Sequence, residues 1–106
     1  MPHPSKQKGN RLERLVVRTL ESFGCESRRA WGSDGRSLGE HEEVDVLTTI
    51  NGRKWKLQVK ARKRIAEWIK PNIDVVDAQV IKEDRGELLV VMPLEKFVKE
   101  VLDARQ

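Results

Sequence analysis

The sequence has 106 residues and a formal net charge of +4, with 38% hydrophobic and 36% charged residues, which fits one small folded domain rather than a disordered chain. The longest apolar run, residues 88–92, is too short to span a bilayer, and residues 1–6 lack the apolar segment typical of a signal peptide. Cys25 is the only cysteine, which excludes an internal disulfide, and we expect a cytoplasmic location.

The chain begins with a basic segment, residues 1–9, which predicts a flexible N-terminal arm and leaves residues 10–106 as the folded domain. Apolar residues at helical spacing then predict a helix from Asn10, its N-cap, to Phe23, ended by Gly24.

A short strand is predicted over residues 25–31, followed by a loop over residues 32–43 that is rich in glycine, serine and charged residues. Within and just after this region, four of the six residues from Glu40 to Asp45 are acidic. Clustered carboxylates are what a divalent cation requires, although a solvated surface stretch is an equal alternative.

A β-hairpin is the clearest local signal, because Asn51-Gly52 joins residues 44–50 to residues 53–61. Asn-Gly favours a two-residue type I′ turn, in which both central residues need positive φ. This turn pairs Ile50 with Arg53 and sets every earlier pair by counting outward. The resulting register keeps one side of the hairpin apolar on both strands, whereas a three-residue turn would mix the two sides.

On the polar side, the same register sets Asp45 opposite Gln58, and Glu43 opposite Lys60. Opposite Cβ atoms lie about 5 Å apart, so Asp45 and Gln58 are close enough to bind one ion, and their oxygens suit Mg²⁺. Lys60 follows about 7 Å along the strand, where it would hold a phosphate or activate water. The alternative is an ordinary solvated hairpin face.

The second half of the chain predicts a short helix within residues 62–77, interrupted by Pro71, and a strand pair over residues 78–83 and 87–92. The unbroken apolar run of the last strand predicts an interior strand. After Pro93, helical spacing predicts a closing helix. The order α-β-β-β-(α)-β-β-α predicts a small α/β domain with a central mixed β-sheet flanked by helices.

A basic block runs from Arg53 to Arg64, where seven of twelve residues are lysine or arginine and none is acidic. A polyanion such as DNA needs a positive surface of this kind. The residues that we expect to contact DNA are all basic, namely Arg11, Arg14, Arg28, Arg29, Arg36, Lys54, Lys56, Arg62, Lys63 and Arg64.

Three motifs carry a resemblance to a known family. Val44-Asp45-Val46 and, after the hairpin, Gln58-Val59-Lys60 resemble the motif of the PD-(D/E)xK nuclease superfamily. Gly9 and Glu13 resemble the Gly-x-x-x-Glu pattern on the first helix of archaeal-type Holliday-junction resolvases and related phage nucleases. The segment Arg28-Arg29-Ala30-Trp31-Gly32-Ser33 resembles the arginine-rich strand and serine loop of the same resolvases.

The resemblance covers about residues 9–61, more weakly residues 77–97, and implies a restriction-endonuclease-like fold with residues 10–106 as the nuclease domain. It implies Mg²⁺, with Mn²⁺ as a substitute, held by Asp45, Gln58, the Val59 carbonyl and Glu13. The implied catalytic residues are Glu13, Ser33, Asp45, Gln58 and Lys60. For Glu13, the alternative is an exposed helix glutamate.

The function that the resemblance implies is a structure-selective DNA endonuclease, in first place a Holliday-junction resolvase, in a bacterial, archaeal or phage-infected cell. A homodimer is expected, because two symmetric nicks require two sites. Two alternatives remain: another PD-(D/E)xK endonuclease of restriction or repair type, and a non-catalytic DNA-binding module. Gln58 keeps the last one open, because it stands where resolvases usually have glutamate and a neutral ligand weakens cation binding.

Overall fold

The computed structural model describes residues 4–30 and 34–104. The elements in chain order are α1 (Pro4–Ser22), β1 (Ser27–Arg29), a 3₁₀-helix (Gly35–Leu38), β2 (Val46–Ile50), β3 (Arg53–Leu57), a second 3₁₀-helix (Glu67–Ile69), β4 (Gln79–Ile81), β5 (Leu89–Val91) and α2 (Leu94–Asp103). This order confirms the predicted α/β class and the predicted succession of elements. Within the described part of the chain, neither helix has the length and apolar character needed to cross a membrane.

The strands form two antiparallel sheets, one in the order β1-β2-β3 and one that contains β4 and β5. We predicted a single mixed sheet, and for the described strands that detail is wrong. The reason lies in β5, whose apolar run we interpreted as an interior strand. Leu88, Leu89 and Val90 are each more than half exposed. An apolar run indicates that a segment tends to be covered, but it does not indicate by which element.

The chain divides into two compact units, Met1–Ala61 with Val98–Gln106, and Arg62–Phe97. The first unit contains α1 and the three-stranded sheet, and its fully buried side chains include Leu20, Val46 and Val98. The second unit contains the β4–β5 pair. There Asp77 and Lys96 form an ion pair of 2.6 Å, and the Gln79 amide donates a hydrogen bond to the Trp68 carbonyl.

Helix α1 begins at Pro4 rather than at the predicted N-cap Asn10, so residues 4–9 of the predicted arm are helical. Proline is well suited to the first turn of a helix, because the N–H that it lacks would have no helical partner there. Residues 1–3 of the arm lie outside the described residues. The predicted stop is confirmed: Gly24 adopts φ 81°, and Cys25 beyond it donates its N–H to the Leu20 carbonyl.

The β2–β3 hairpin has the predicted register, from Ile50 opposite Arg53 to Val46 opposite Leu57. Asn51 and Gly52 adopt φ 54° and 80°, as a type I′ turn requires. The predicted core side of β2 is buried, and β1 pairs with the other edge of β2. Strand β2 is therefore the central strand of its sheet, and the site described below starts at Asp45, the residue just before β2.

Candidate active site at the end of the hairpin

The β2–β3 ladder ends just before the predicted pair of Asp45 and Gln58. The Leu57 carbonyl, which is opposite Val46 in the register, accepts the N–H of Asp45 at 2.9 Å. The described pairing of β2 with β3 ends here, and Asp45 bonds to the Leu57 carbonyl from just outside β2. The Asp45 carbonyl accepts the N–H of Ala30 at 2.8 Å. The Asp45 backbone is thus held from both neighbouring segments.

Asp45 is buried, with 7% of the residue exposed, and its Oδ2 accepts the N–H of Val59 at 2.7 Å. The structure therefore joins Asp45 to the backbone of Val59, which is the next residue after the predicted partner Gln58. This bond is charge-assisted and ties the acid to the segment Gln58-Val59-Lys60 directly after β3. In this segment the side chains of Gln58 and Lys60 are exposed, and Val59 is half-buried. The roles of Gln58 and Lys60 stay predictions.

Glu13 lies on a buried face of α1 and is 2% exposed, so the alternative of an exposed helix glutamate is wrong. The guanidinium Nη1 of Arg29 on β1 lies 3.8 Å from the Glu13 carboxylate and donates a hydrogen bond of 3.3 Å to the Asn10 carbonyl. Burying a carboxylate is costly unless cations or hydrogen-bond donors compensate. Arg29 supplies one such cation and links α1 to the sheet.

The donor atoms of the predicted metal site are all hard oxygens, and two of them belong to the buried carboxylates of Glu13 and Asp45. Buried carboxylates together with amide and carbonyl oxygens fit a divalent cation such as Mg²⁺ or Mn²⁺. Among the described residues, no three or more His, Cys, Asp or Glu side chains form a group that could hold a metal. A cation held by these carboxylates would need further oxygen ligands, for which the predicted candidates are Gln58 and the Val59 carbonyl.

The predicted catalytic Ser33 lies outside the described residues. Directly after it, Asp34 caps the first 3₁₀-helix by accepting the N–H of Arg36 at 3.0 Å. The Arg36 side chain also donates hydrogen bonds to both carboxylate oxygens of Asp34. These hydrogen bonds lower the pKa of Asp34 to about 2. The predicted DNA contact of Arg36 therefore competes with an internal ion pair.

The predicted DNA contacts divide into two groups. Three of them pair with acids: Arg29 with Glu13, Arg36 with Asp34, and Lys56 with Glu40 at 3.0 Å. The others have exposed side chains, namely Arg11, Arg14, Arg28, Lys54, Arg62, Lys63 and Arg64. In the first group, an acid partner must be displaced before the side chain can contact a phosphate.

Arg18 is a basic residue that the sequence analysis missed. It is exposed on α1 and lines a shallow cavity of 360 Å³ with Arg14, Val17 and Arg29. Arg11, Arg14 and Arg18 are spaced as residues i, i+3 and i+7, which places them along one side of the helix. This spacing is visible in the sequence, beside the apolar residues that predict the buried side of the helix.

The comparison with family models gives one finding that bears on all of these residues. The model described as archaeal Holliday junction resolvase (hjc) matches residues 4–92, which include every predicted catalytic residue. No curated protein and no solved structure was found to match. Because the family match covers most of the sequence, it confirms the predicted resemblance to this resolvase family. The chain belongs to the archaeal Holliday junction resolvase family, a PD-(D/E)xK-type family of nucleases that act on DNA.

Proposed function

We propose that this protein is a metal-dependent, structure-selective endonuclease that cuts Holliday junctions by hydrolysing phosphodiester bonds, with Mg²⁺ as cofactor and Mn²⁺ as a substitute. The single observation that carries the proposal is the bond from the Val59 N–H to the buried Asp45 carboxylate. It brings an acid against the segment Gln58-Val59-Lys60 in a chain of a resolvase family. An acid, oxygen ligands and a lysine therefore belong to one short region of the hairpin.

In the proposed site, Asp45, Gln58, the Val59 carbonyl and Glu13 would hold the divalent cation. When bound, it supplies Lewis-acid chemistry that polarises a phosphate oxygen and makes water a better nucleophile. Lys60 stabilises the negative charge that develops on the phosphate in the transition state. Ser33 assists near the phosphate. No side chain acts as nucleophile, because water attacks the phosphorus atom.

The proposed DNA surface consists of the exposed arginine and lysine residues described above, now with Arg18 added. Contacts to phosphates fix the position of a duplex without reading its sequence, which suits an enzyme that selects DNA by structure. The protein acts as a homodimer in this proposal. The exposed apolar side chains Leu88, Leu89 and Val90 support it, because apolar patches of this kind tend to be covered by a partner. The cytoplasmic location stays a prediction.

The test is a cleavage assay with labelled four-way junctions and a linear duplex of the same sequence, in Mg²⁺. We expect the wild-type protein to cut the junction preferentially and to stop cutting when a chelator removes the metal. Lys60→Ala should lower the cleavage rate by about 10³-fold, as the loss of a transition-state contact does. Junction binding should survive in this variant. Lys99→Ala removes an exposed lysine of α2 and is the matched control.

Each alternative has its own outcome in this assay. Equal cleavage rates on junction and duplex would assign the protein to the restriction-like or repair-like nucleases. The protein would be a non-catalytic module if it binds the junction tightly but does not cut it, and if it has no Mn²⁺ site that is lost in Asp45→Ala. Normal cleavage by Lys60→Ala would refute the role of that lysine.

A further inference from the structure

The loop between β1 and β2, residues 34–44, folds back on itself around Gly35. The N–H of Gly35 donates to the Glu42 carbonyl at 3.3 Å, and the Gly35 carbonyl accepts the N–H of Glu40 at 2.9 Å. Both backbone groups of one residue therefore close the loop on its later half, and Gly35 is buried although the loop lies at the surface.

Gly35 is required at this point because of a close approach. A Cβ atom on Gly35 would lie 1.9 Å from the His41 carbonyl oxygen and 2.8 Å from the Val44 carbonyl oxygen. Both neighbours are backbone atoms, so no side chain can rotate to make room. The N–H of Val44 also donates to the His41 carbonyl at 3.0 Å. Gly35 therefore packs directly against the peptide bond that joins Val44 to Asp45.

A second link ties the same loop to the hairpin. The Glu40 carboxylate lies 3.0 Å from Nζ of Lys56, and Lys56 is held in the β2–β3 ladder opposite Leu47. The loop is thus fixed at two places: against the residue that precedes Asp45, and against the strand that precedes Val59.

We infer that the loop of residues 34–44 positions the proposed metal ligand Asp45, with Gly35 and the Glu40–Lys56 ion pair as the two contacts that do so. The loop sets the direction in which the chain enters β2. This direction decides whether the Asp45 carboxylate meets the Val59 N–H. The inference rests on the proposed function only in that Asp45 is taken as a ligand, and Gly35 acts through Asp45 rather than on substrate.

The first test is Gly35→Ala, with two measurements on the protein without DNA. The hydrogen exchange of the Val59 amide reports directly on the bond to Asp45, and titration with Mn²⁺ reports on the metal site. We expect the Val59 amide to exchange faster, while the amides of the β2–β3 ladder keep their protection. The Mn²⁺ dissociation constant should rise about 10-fold or more, as for other residues that orient a ligand. Glu21→Ala, at an exposed position of α1 outside the proposed site, is the control.

The second test is Lys56→Met, which removes the ion pair with Glu40 without adding bulk to the loop. Removing a positive charge near a cation site would by simple electrostatics strengthen Mn²⁺ binding. Loss of the positioning contact would instead weaken Mn²⁺ binding. We expect Mn²⁺ binding to weaken about 2- to 5-fold, the range of a surface ion pair, together with faster Val59 exchange.

Several results would overturn the inference. One is a folded Gly35→Ala protein with unchanged Val59 exchange, whatever its Mn²⁺ affinity. If Gly35→Ala does not fold, Lys56→Met decides, and unchanged Val59 exchange or tighter Mn²⁺ binding refutes the positioning role. A wild-type protein that binds no Mn²⁺ would refute the proposed function instead, and Val59 exchange would still test the positioning of Asp45.

Discussion

The Asp45 carboxylate accepts a hydrogen bond of 2.7 Å from the Val59 N–H, and this bond crosses the hairpin where the regular ladder has ended. One buried side chain therefore serves the fold and the proposed metal site at the same time. A change at Asp45 should consequently affect stability and metal binding together, and the two effects can be separated by the choice of substitution.

Asp45→Ala should lower the free energy of unfolding by about 1–3 kcal/mol, because the Val59 N–H loses its acceptor, and should abolish Mn²⁺ binding. Asp45→Asn keeps an oxygen acceptor but loses the charge, so it should retain most of the stability and still bind Mn²⁺ weakly. Denaturant unfolding and calorimetric titration measure the two effects. Asp84→Ala, at an exposed acid of the second unit, is the control. Wild-type Mn²⁺ affinity in Asp45→Ala would remove this residue from the site.

Gln58→Glu should make the proposed site bind its cation more tightly. The Gln58 side chain is exposed, so the fold should tolerate the change, and a carboxylate is a stronger ligand for Mg²⁺ than an amide. We expect half-maximal cleavage at a lower Mg²⁺ concentration than in the wild type. Gln7→Glu on α1 adds the same charge at another exposed position and serves as control. A higher Mg²⁺ requirement in Gln58→Glu would argue that residue 58 is not a ligand.

Arg28 and Arg29 are neighbours on β1 with different surroundings, since Arg28 is exposed and Arg29 reaches Glu13 and Asn10. Arg28→Ala should weaken DNA binding and reduce the slope of log K against log salt concentration by about 0.9, with little loss of stability. Arg29→Ala should instead lower the free energy of unfolding by about 1–3 kcal/mol, because a buried carboxylate loses a cation. Salt-dependent binding and denaturant unfolding, run on both variants, measure this. If Arg28→Ala and Arg29→Ala show the same salt dependence and the same loss of stability, the two arginines do not have the different roles proposed here.

The Glu40–Lys56 ion pair predicts a pH effect of known sign. The hydrogen bond from Lys56 lowers the pKa of Glu40 below its ordinary value of 4.5. The pair therefore stabilises the folded protein above this ordinary value, and the contribution disappears as the pH falls through the lowered pKa. An NMR titration of the Glu40 carboxyl should show the low pKa in the wild type and a return towards 4.5 in Lys56→Met. A pKa of Glu40 that is the same in both proteins would show that the ion pair is absent in solution.

The parts of this protein that could be predicted from its sequence are those that short-range rules govern. The Asn51-Gly52 turn and the alternation of side chains around it were sufficient for the register from Ile50 to Val46, because each depends on adjacent residues and on a period of two. The closing helix followed in the same way from its apolar spacing. The three motifs together were sufficient to predict the family, because each is a short pattern that can be read along the chain, and the family match confirms that prediction.

Tertiary structure decided the features that join residues distant in sequence. Counting outward from the turn predicted Asp45 opposite Gln58, but the paired register ends at Val46 and Leu57, and Asp45 bonds to Leu57 and Val59 there. Helical spacing left Glu13 between burial and exposure, which only the packing of α1 against β1 resolved. The contact of Gly35 with Val44 has no sequence signal, because the glycine is needed for space and not for its φ angle. Local rules determine which helices, strands and turns form. The packing of segments that are distant in sequence determines which charged side chains become buried and which groups they contact.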